Sequence, residues 1–234
     1  VVDLVRNIGI AAGGTVMEDC RVIEAVKEGK YTSVLVLTHD KKYVEYRTEH
    51  FVNALGGGAG KLCDSMGIDA GLYPVRHQAF ITRRLPMLGK NGANLDMLID
   101  RQDYKGFSAV YGQQIAHTGQ IIGCASPKLD AMRIDKNLKL NTKAFLEIVS
   151  EMFVEWIPDL AGVGIQAVWA GYYTEPRYIV DPELGLFVGM RGHGFMLAQY
   201  IAKMYVDKLM GRPVPEYFEK LKLHGPGLSE KAFK

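Results

Sequence analysis

The hydrophobic and polar residues of this chain follow two periods, and each predicts a different kind of element. Residues 15–26 and 32–39 are rich in β-branched side chains and flank the polar stretch KEGKY, which is typical of a hairpin. Residues 43–55 alternate and then become apolar, so we expect a further strand that enters a core. Alternation predicts later strands at 73–85, 94–100, 106–117, 119–126, 162–174 and 178–189, the last as two short strands around a turn.

Apolar residues spaced three and four positions apart predict helices instead. The clearest case is 142–157, which Asn141 or Thr142 would cap and Pro158 would end. Its apolar stripe consists of Phe145, Ile148, Val149, Met152, Phe153 and Trp156. This stripe predicts that one face of the helix is buried against a sheet.

Further helices are predicted over 195–211, over 2–8 and directly after the glycines at 56–58, whereas the tail 226–234 is expected to be loose. Helices and strands are mixed along the chain, and several consecutive strands are joined by short polar turns. This order predicts an α/β fold with α+β character, in which helices flank a mixed, largely antiparallel sheet.

Composition narrows the possible partners. A net charge of +2, from 28 basic and 26 acidic residues, provides neither a basic surface for nucleic acid nor a polybasic block for a membrane surface. No apolar run approaches the ~20 residues that span a bilayer, so we expect no transmembrane segment. Cys20, Cys63 and Cys124 are far apart and form no CxxC pair, which favours buried thiols in a reducing, cytoplasmic compartment.

The first residues, VVDLVRNIGIAAGG, have neither an initiator methionine nor the pattern of a signal peptide. They are typical of the middle of a chain. We therefore expect an N-terminal part that this sequence does not include.

The glycine-rich stretch GGGAGK at 56–61 does not match the known phosphate-binding motifs. A P-loop requires glycine at 55 and Ser or Thr at 62, and both positions are leucine. The dinucleotide pattern GxGxxG requires glycine at 61, which is lysine. Two interpretations stay open for these glycines, namely a tight turn and the close approach of the backbone to a ligand.

Other catalytic chemistry has little support in the sequence. The six histidines lack the spacing of a zinc site, and no GxSxG elbow is present. His77 falls in a predicted strand and is interpreted as a core or surface residue. Tyr172, Tyr173 and Tyr178 either line an aromatic pocket or pack the sheet.

Four stretches together resemble the D-amino-acid-oxidase-like family of FAD-dependent oxidoreductases. They are EDCRVIEAV, FVNALGGG, WAGYYTEPRYIVDP and GMRGHGFML, in this order. The resemblance is strongest to the branch of the sarcosine oxidase β-subunit and the dye-linked proline dehydrogenases. It covers essentially the whole chain but only the C-terminal two-thirds of the family, so the family's GxGxxG unit is absent from this sequence.

The resemblance implies a cofactor, FAD, and a set of residues that would contact it. The backbone of Val22 would meet the adenine, and Ala54 and Gly56 would lie along the ADP part. The residues implied around the isoalloxazine ring are Gly189, Gly192, His193, Gly194, Phe195 and Met196. Here the start of the last helix would direct its N–H groups toward the pyrimidine edge of the ring.

Some positions of this chain differ from the family pattern, and these differences change what the resemblance implies. Some relatives attach flavin covalently through a cysteine at position 171 and have lysine at 196, whereas this chain has Gly171 and Met196, which implies non-covalent FAD. Tyr173 replaces an arginine that binds the substrate carboxylate in other relatives. Arg191 is the first candidate for that task and Arg76 the second, and a surface or inter-chain salt bridge is the alternative role for Arg191.

The function implied is FAD-dependent oxidation of a small amino acid or secondary amine, such as proline, sarcosine or glycine, by hydride transfer to flavin N5. Arg191, Tyr172 and Tyr173 would shape the substrate site. Residues 1–72 and 169–234 are expected to belong to the FAD-binding domain, and 73–168 to a substrate domain. A cofactor-free remnant or interaction subunit is the alternative, and both interpretations leave a partner subunit or oligomer open.

Overall fold

The computed structural model describes residues 1–89, 92–127 and 142–225. Within these ranges the helices are α1 (Val2–Ala11), α2 (Ala59–Ser65), α3 (Thr142–Trp156) and α4 (Gly194–Leu209). The strands are β1 (Arg21–Glu28), β2 (Tyr31–Leu37), β3 (Tyr43–Thr48), β4 (Tyr73–Thr82), β5 (Leu98–Asp100), β6 (Phe107–Gln114), β7 (Ile121–Pro127), β8 (Ile165–Glu175), β9 (Ile179–Asp181) and β10 (Leu186–Val188). Thr142, one of the two predicted caps, is the first residue of α3. The other, Asn141, and the tail 226–234 lie outside what the structure describes.

The first three strands form an antiparallel sheet in the order β1-β2-β3. Alternate residues of β2 are buried, and Val34 and Val36 pack with Leu62 of α2. The predicted hairpin is therefore confirmed. The prediction that the first strand begins at residue 15 is wrong, because β1 begins only at Arg21. Just before it, Asp19 has a positive φ of 52°, which an extended strand does not allow.

The largest sheet has the order β5-β6-β7-β4-β8, and every neighbouring pair is antiparallel. Helix α3 covers one face of it. The predicted stripe on α3 is confirmed, since Phe145, Val149, Met152 and Phe153 are buried and Ile148 and Trp156 pack against the same core. Glycine is required where the aromatic rings lie on the strands, because a Cβ at Gly112 would overlap Phe153 and one at Gly123 would overlap Phe80.

A small pair of strands, β9 and β10, completes the framework. Helix α4 packs on it through Ile201, Met204 and Tyr205, which form a core with Val180 and Phe218. Strands and helices are thus combined as predicted, in an α/β fold with α+β character. Among the described residues, no helix combines the length and the apolar character that crossing a bilayer requires.

Two further expectations, on the thiols and on the third strand, are corrected by the structure. Cys63 is buried, but Cys20 and Cys124 are only partly buried, so the prediction of buried thiols is wrong for these two. The strand predicted to run through 43–55 ends at Thr48, and only Asn53 of the apolar continuation forms an isolated β-bridge.

Candidate functional site

The two glycine segments of the chain are brought together by one β-bridge. Asn53 pairs in parallel with Leu186, the first residue of β10. The Asn53 N–H donates to the Gly185 carbonyl at 2.8 Å, and the Phe187 N–H donates to the Asn53 carbonyl at 3.0 Å. Because parallel neighbours end at the same edge, the glycines at 56–58 and those at 189–194 follow from adjacent chain segments.

The side chain of Asn53 holds the first glycine segment in place. It is 1% exposed, and its amide donates to the Ala59 carbonyl at 3.0 Å while its carbonyl accepts from the Leu55 N–H at 3.3 Å. The buried amide thus bridges the two ends of the loop, which leads directly into α2. Sequence reasoning did not assign it this role, although an asparagine just before the glycines was the available signal.

The second glycine segment is fixed by contacts on both sides of Arg191. Gly189 has a φ of 71°, and a Cβ there would overlap the Arg177 carbonyl oxygen, so only glycine fits. Downstream, the Tyr178 hydroxyl lies 2.7 Å from Nδ1 of His193, which ties the turn to β9. The segment therefore reaches the start of α4 in a defined conformation.

Arg191 itself forms an ion pair with Glu175. Its Nε lies 2.6 Å from Oε2 of Glu175, and both side chains are mostly buried. Its φ of 46° is unusual for a residue other than glycine. The guanidinium of Arg191, which was predicted to bind a substrate carboxylate, is thus already paired with a carboxylate of the chain. Carboxylate binding by Arg191 stays a prediction.

The start of α4 presents features that suit a flat ring with polar edges. The first helical turn contains Gly194, Phe195 and Met196, and no side chain of the described structure caps it. Phe195 is 71% exposed and Met196 is 68% exposed. Open amides beside exposed apolar surface fit the pyrimidine edge and the hydrophobic body of an isoalloxazine ring.

A cavity of about 360 Å³ lies on the face of the largest sheet opposite to α3. Its wall includes Met97 and side chains that project from four strands, namely His77, Tyr111, Cys124, Trp169 and Tyr173. The rings of Tyr173 and His77 are stacked with their centroids 3.7 Å apart. Tyr173 also adjoins the turn before α4, since a Cβ at Gly192 would lie 2.8 Å from its ring. The cavity therefore lies next to the second glycine segment.

Burial favours the neutral form of three ionisable groups in the cavity wall, His77, Tyr111 and Cys124. Burial lowers the pKa of His77 to about 4. Burial also raises the pKa of the Tyr111 hydroxyl, which interacts with Cys124 and Tyr173, and burial raises the pKa of the Cys124 thiol. At neutral pH the wall offers an uncharged imidazole, phenol and thiol.

The remaining predicted residues do not line the cavity. Val22 is half-buried beside a bulge in β1, with its side chain packed against the core of the first sheet. Ala54 and Gly56 are exposed on the loop after Asn53. Of the two tyrosines predicted to shape the substrate site, only Tyr173 lines the cavity, because successive strand residues point to opposite faces.

Tyr172 and Arg76 share the opposite face of the sheet. They are direct partners across β8 and β4, and neither lines the cavity. Tyr172 instead packs against the first glycine segment, where a Cβ at Gly57 would lie 2.9 Å from it. Their roles at the substrate remain predictions. His77, interpreted from the sequence as a core or surface residue, lies in the cavity wall with its ring stacked on Tyr173.

Solved structures of three flavoproteins resemble this chain. L-proline dehydrogenase from P. horikoshii has a TM-score of 0.70 and 25% identity, over 92% of this chain and 56% of its own. Glycine oxidase from Geobacillus kaustophilus has a TM-score of 0.69 and 16% identity, over 94% and 55%. Iminodiacetate oxidase from Chelativorans sp. BNC1 has a TM-score of 0.68 and 15% identity, over 95% and 57%.

This chain thus spans a little over half the length of each of these proteins. A comparison with curated proteins finds no match. The model of the DAO family, described as FAD dependent oxidoreductase, matches residues 2–208. The resemblance inferred from the four sequence stretches is thereby confirmed, and the chain belongs to the DAO family of FAD-dependent oxidoreductases.

Proposed function

We propose that the protein oxidises a small amino acid or secondary amine, such as proline, sarcosine or glycine, to the corresponding imine. One observation carries the proposal, namely that the cavity and the second glycine segment adjoin through the ring of Tyr173. A substrate in the cavity would then lie beside the segment that resembles the flavin-ring site of the family. The chain of the proline dehydrogenase, which has 25% identity, supports a substrate of this class.

The residues proposed to hold FAD are those that the family resemblance implies. The N–H groups of Gly194, Phe195 and Met196 would stabilise negative charge at the pyrimidine edge, because a helix N-terminus is electropositive. Ala54 and Gly56 would lie along the ADP part, and Val22 along the adenine. Bound FAD supplies the acceptor for a hydride, at N5 of its ring.

Non-covalent attachment is part of the proposal. Gly171 lines the cavity, carries no side chain, and has no atom within 4 Å of the position where a Cβ would be. Met196 likewise offers no nucleophile. The residues at these positions can shape the ring site but cannot form a bond to the cofactor.

The cavity wall suits a reaction without a strong protein base. His77 and Tyr111 are neutral at physiological pH, and the described residues of the wall include no carboxylate. An amine that enters in its neutral form needs no base, since its lone pair already assists departure of the hydride. We further propose that 1–72 and 169–234 form the FAD-binding domain and 73–168 the substrate domain.

The direct test is to purify the protein as it occurs and to measure its flavin and its activity. We expect a yellow protein that releases FAD on denaturation and reduces an artificial dye with proline, sarcosine or glycine. A colourless protein that takes up no FAD would instead support a remnant or interaction subunit. A protein that binds FAD but oxidises none of a panel of amino acids and amines would contradict the proposed substrate class.

A further inference from the structure

The imidazole of His77 has one nitrogen shut inside the sheet and one open to the cavity. Within the described residues, Nδ1 is fully buried and has no hydrogen-bond partner. Nε2 is not among the buried unpartnered atoms, and the open space that the ring borders is the cavity. Any polar interaction that His77 makes with a ligand must therefore use Nε2.

The buried environment of Nδ1 determines where the proton of the neutral ring resides. A buried N–H without an acceptor is among the rarest features of native proteins, whereas a lone pair without a donor is less costly. Nδ1 is therefore the unprotonated nitrogen, and the proton is on Nε2. His77 then presents an N–H donor, not an acceptor, to the cavity.

This donor cannot usefully face the amine of a substrate. A hydrogen bond to the amine lone pair would withdraw the electrons that the proposed oxidation requires. A carboxylate oxygen is the acceptor that an amino-acid substrate offers instead, and a donor to a carboxylate makes a strong bond in a site shielded from water.

We propose that His77 determines substrate specificity by donating a hydrogen bond from Nε2 to the carboxylate of an amino-acid substrate in the cavity. This inference rests on the proposed function and refines it, because it selects amino acids over amines without a carboxylate. It also provides a carboxylate contact that does not require Arg191 to leave Glu175.

Two tyrosines hold the imidazole in position. The ring of Tyr173 lies nearly parallel to it, with 23° between the planes. The Tyr173 hydroxyl interacts in turn with Tyr111, which projects from β6. The donor is thus oriented by rings from two other strands, which reduces the entropy lost when a ligand binds.

The experiment compares three variants in the FAD-loaded protein. His77→Phe keeps a ring to stack on Tyr173 but removes the donor. His77→Gln keeps an N–H near the position of Nε2, and His77→Asn shifts it toward the position of Nδ1. Binding of tetrahydrofuran-2-carboxylate, which has no amine to oxidise, is measured by calorimetry with tetrahydrofuran as the control lacking the carboxylate, and kcat/KM is measured for proline and pyrrolidine.

We expect His77→Phe and His77→Asn to weaken binding of the carboxylate by about 10- to 100-fold, while His77→Gln retains most of it. Proline kcat/KM should fall in parallel, and tetrahydrofuran and pyrrolidine should be unaffected. Undiminished carboxylate binding in both His77→Phe and His77→Asn would overturn the proposal. So would an equal loss for both ligands, which would indicate a role in shape alone, or a wild-type protein that does not bind the carboxylate.

The binding assay separates this inference from the proposed function. If the wild-type protein binds the carboxylate through His77 but oxidises no amino acid, the donor role stands and the proposed reaction fails. If His77→Phe does not fold, as judged by its melting temperature and FAD content, the comparison of His77→Asn with His77→Gln decides.

Discussion

At the scale of single residues, the absence of a side chain at Gly192 allows the Tyr173 ring to reach both the turn before α4 and His77. A Cβ at this position would lie 2.8 Å from the ring, which is closer than real contacts allow. We expect Gly192→Ala to push the ring off the imidazole and to lower kcat/KM for the preferred amino acid by about 10- to 100-fold, as small displacements in a site do. Steady-state kinetics at saturating FAD measures this.

The matched control for this prediction is Gly58→Ala. Gly58 also lies in a glycine segment, but its φ is negative and the nearest atom to a new Cβ is 3.8 Å away. It should retain wild-type kinetics under the same conditions. Equal losses in the two variants would show that Tyr173 is not the reason for glycine at 192.

The ion pair between Arg191 and Glu175 allows the predicted role of the arginine to be tested directly. If Arg191 binds a substrate carboxylate, Arg191→Ala lowers kcat/KM for amino acids while flavin stays bound. Glu175→Gln should then raise affinity for a carboxylate, because it replaces the competing carboxylate, 2.6 Å from Nε of Arg191, by a neutral amide that accepts a weaker hydrogen bond. Kinetics unchanged in Arg191→Ala would leave the arginine with a purely structural role.

At the scale of elements, we expect the contact between α3 and the largest sheet to determine stability and the start of α4 to determine cofactor binding. Phe153 is 5% exposed and Phe195 is 71% exposed. We expect Phe153→Ala to lower the free energy of unfolding by about 3–5 kcal/mol through the cavity it leaves. Phe195→Ala should change it by less than about 0.5 kcal/mol in the apoprotein.

Chemical denaturation of the apoprotein measures both values, and titration with FAD provides the second readout. Phe195→Ala should weaken FAD binding if its ring meets the isoalloxazine. A variant that binds FAD as tightly as the wild type would contradict the placement of the flavin ring at α4.

The local periodicity of apolar residues predicts most helices and strands. It does not predict which segments pair over long distances along the chain. The 3–4 spacing of Phe145, Val149 and Met152 defines α3 because one helix face meets one sheet. No local pattern shows that Asn53 pairs with Leu186, since 133 positions separate them along the chain. For the same reason His77 could not be linked to the cavity, because the ring that stacks on it comes from β8.

The glycine segments show the same contrast between what the local sequence predicts and what only the fold determines. Their positions were evident in the sequence, and the family resemblance implied a role for them. The partners that require glycine, Tyr172 at Gly57 and Tyr173 at Gly192, follow only from the fold. The alternation of β8 predicts that these tyrosines point apart, but not which face contains the cavity.

At the scale of the whole molecule, His77 makes global stability depend on pH. Its pKa is lowered from 6.5 to about 4 by burial, so the unfolded chain binds more protons than the folded protein between these pH values. The free energy of unfolding should therefore fall as pH decreases from 6.5 to about 4, by roughly 3 kcal/mol for this group. Above pH 6.5 the contribution is complete and constant.

Urea denaturation of the wild type and of His77→Gln across this range isolates the effect. The carboxyl groups whose pKa values are lowered by ion pairs, such as Glu151 beside Lys105 and Glu219 beside Lys208, remain in both proteins and cancel in the comparison. Glutamine does not titrate, so the stability of the variant should decrease less steeply with falling pH. Parallel curves for the two proteins would mean that His77 is protonated equally in the folded and unfolded states. Burial would then not favour the neutral imidazole over the charged one.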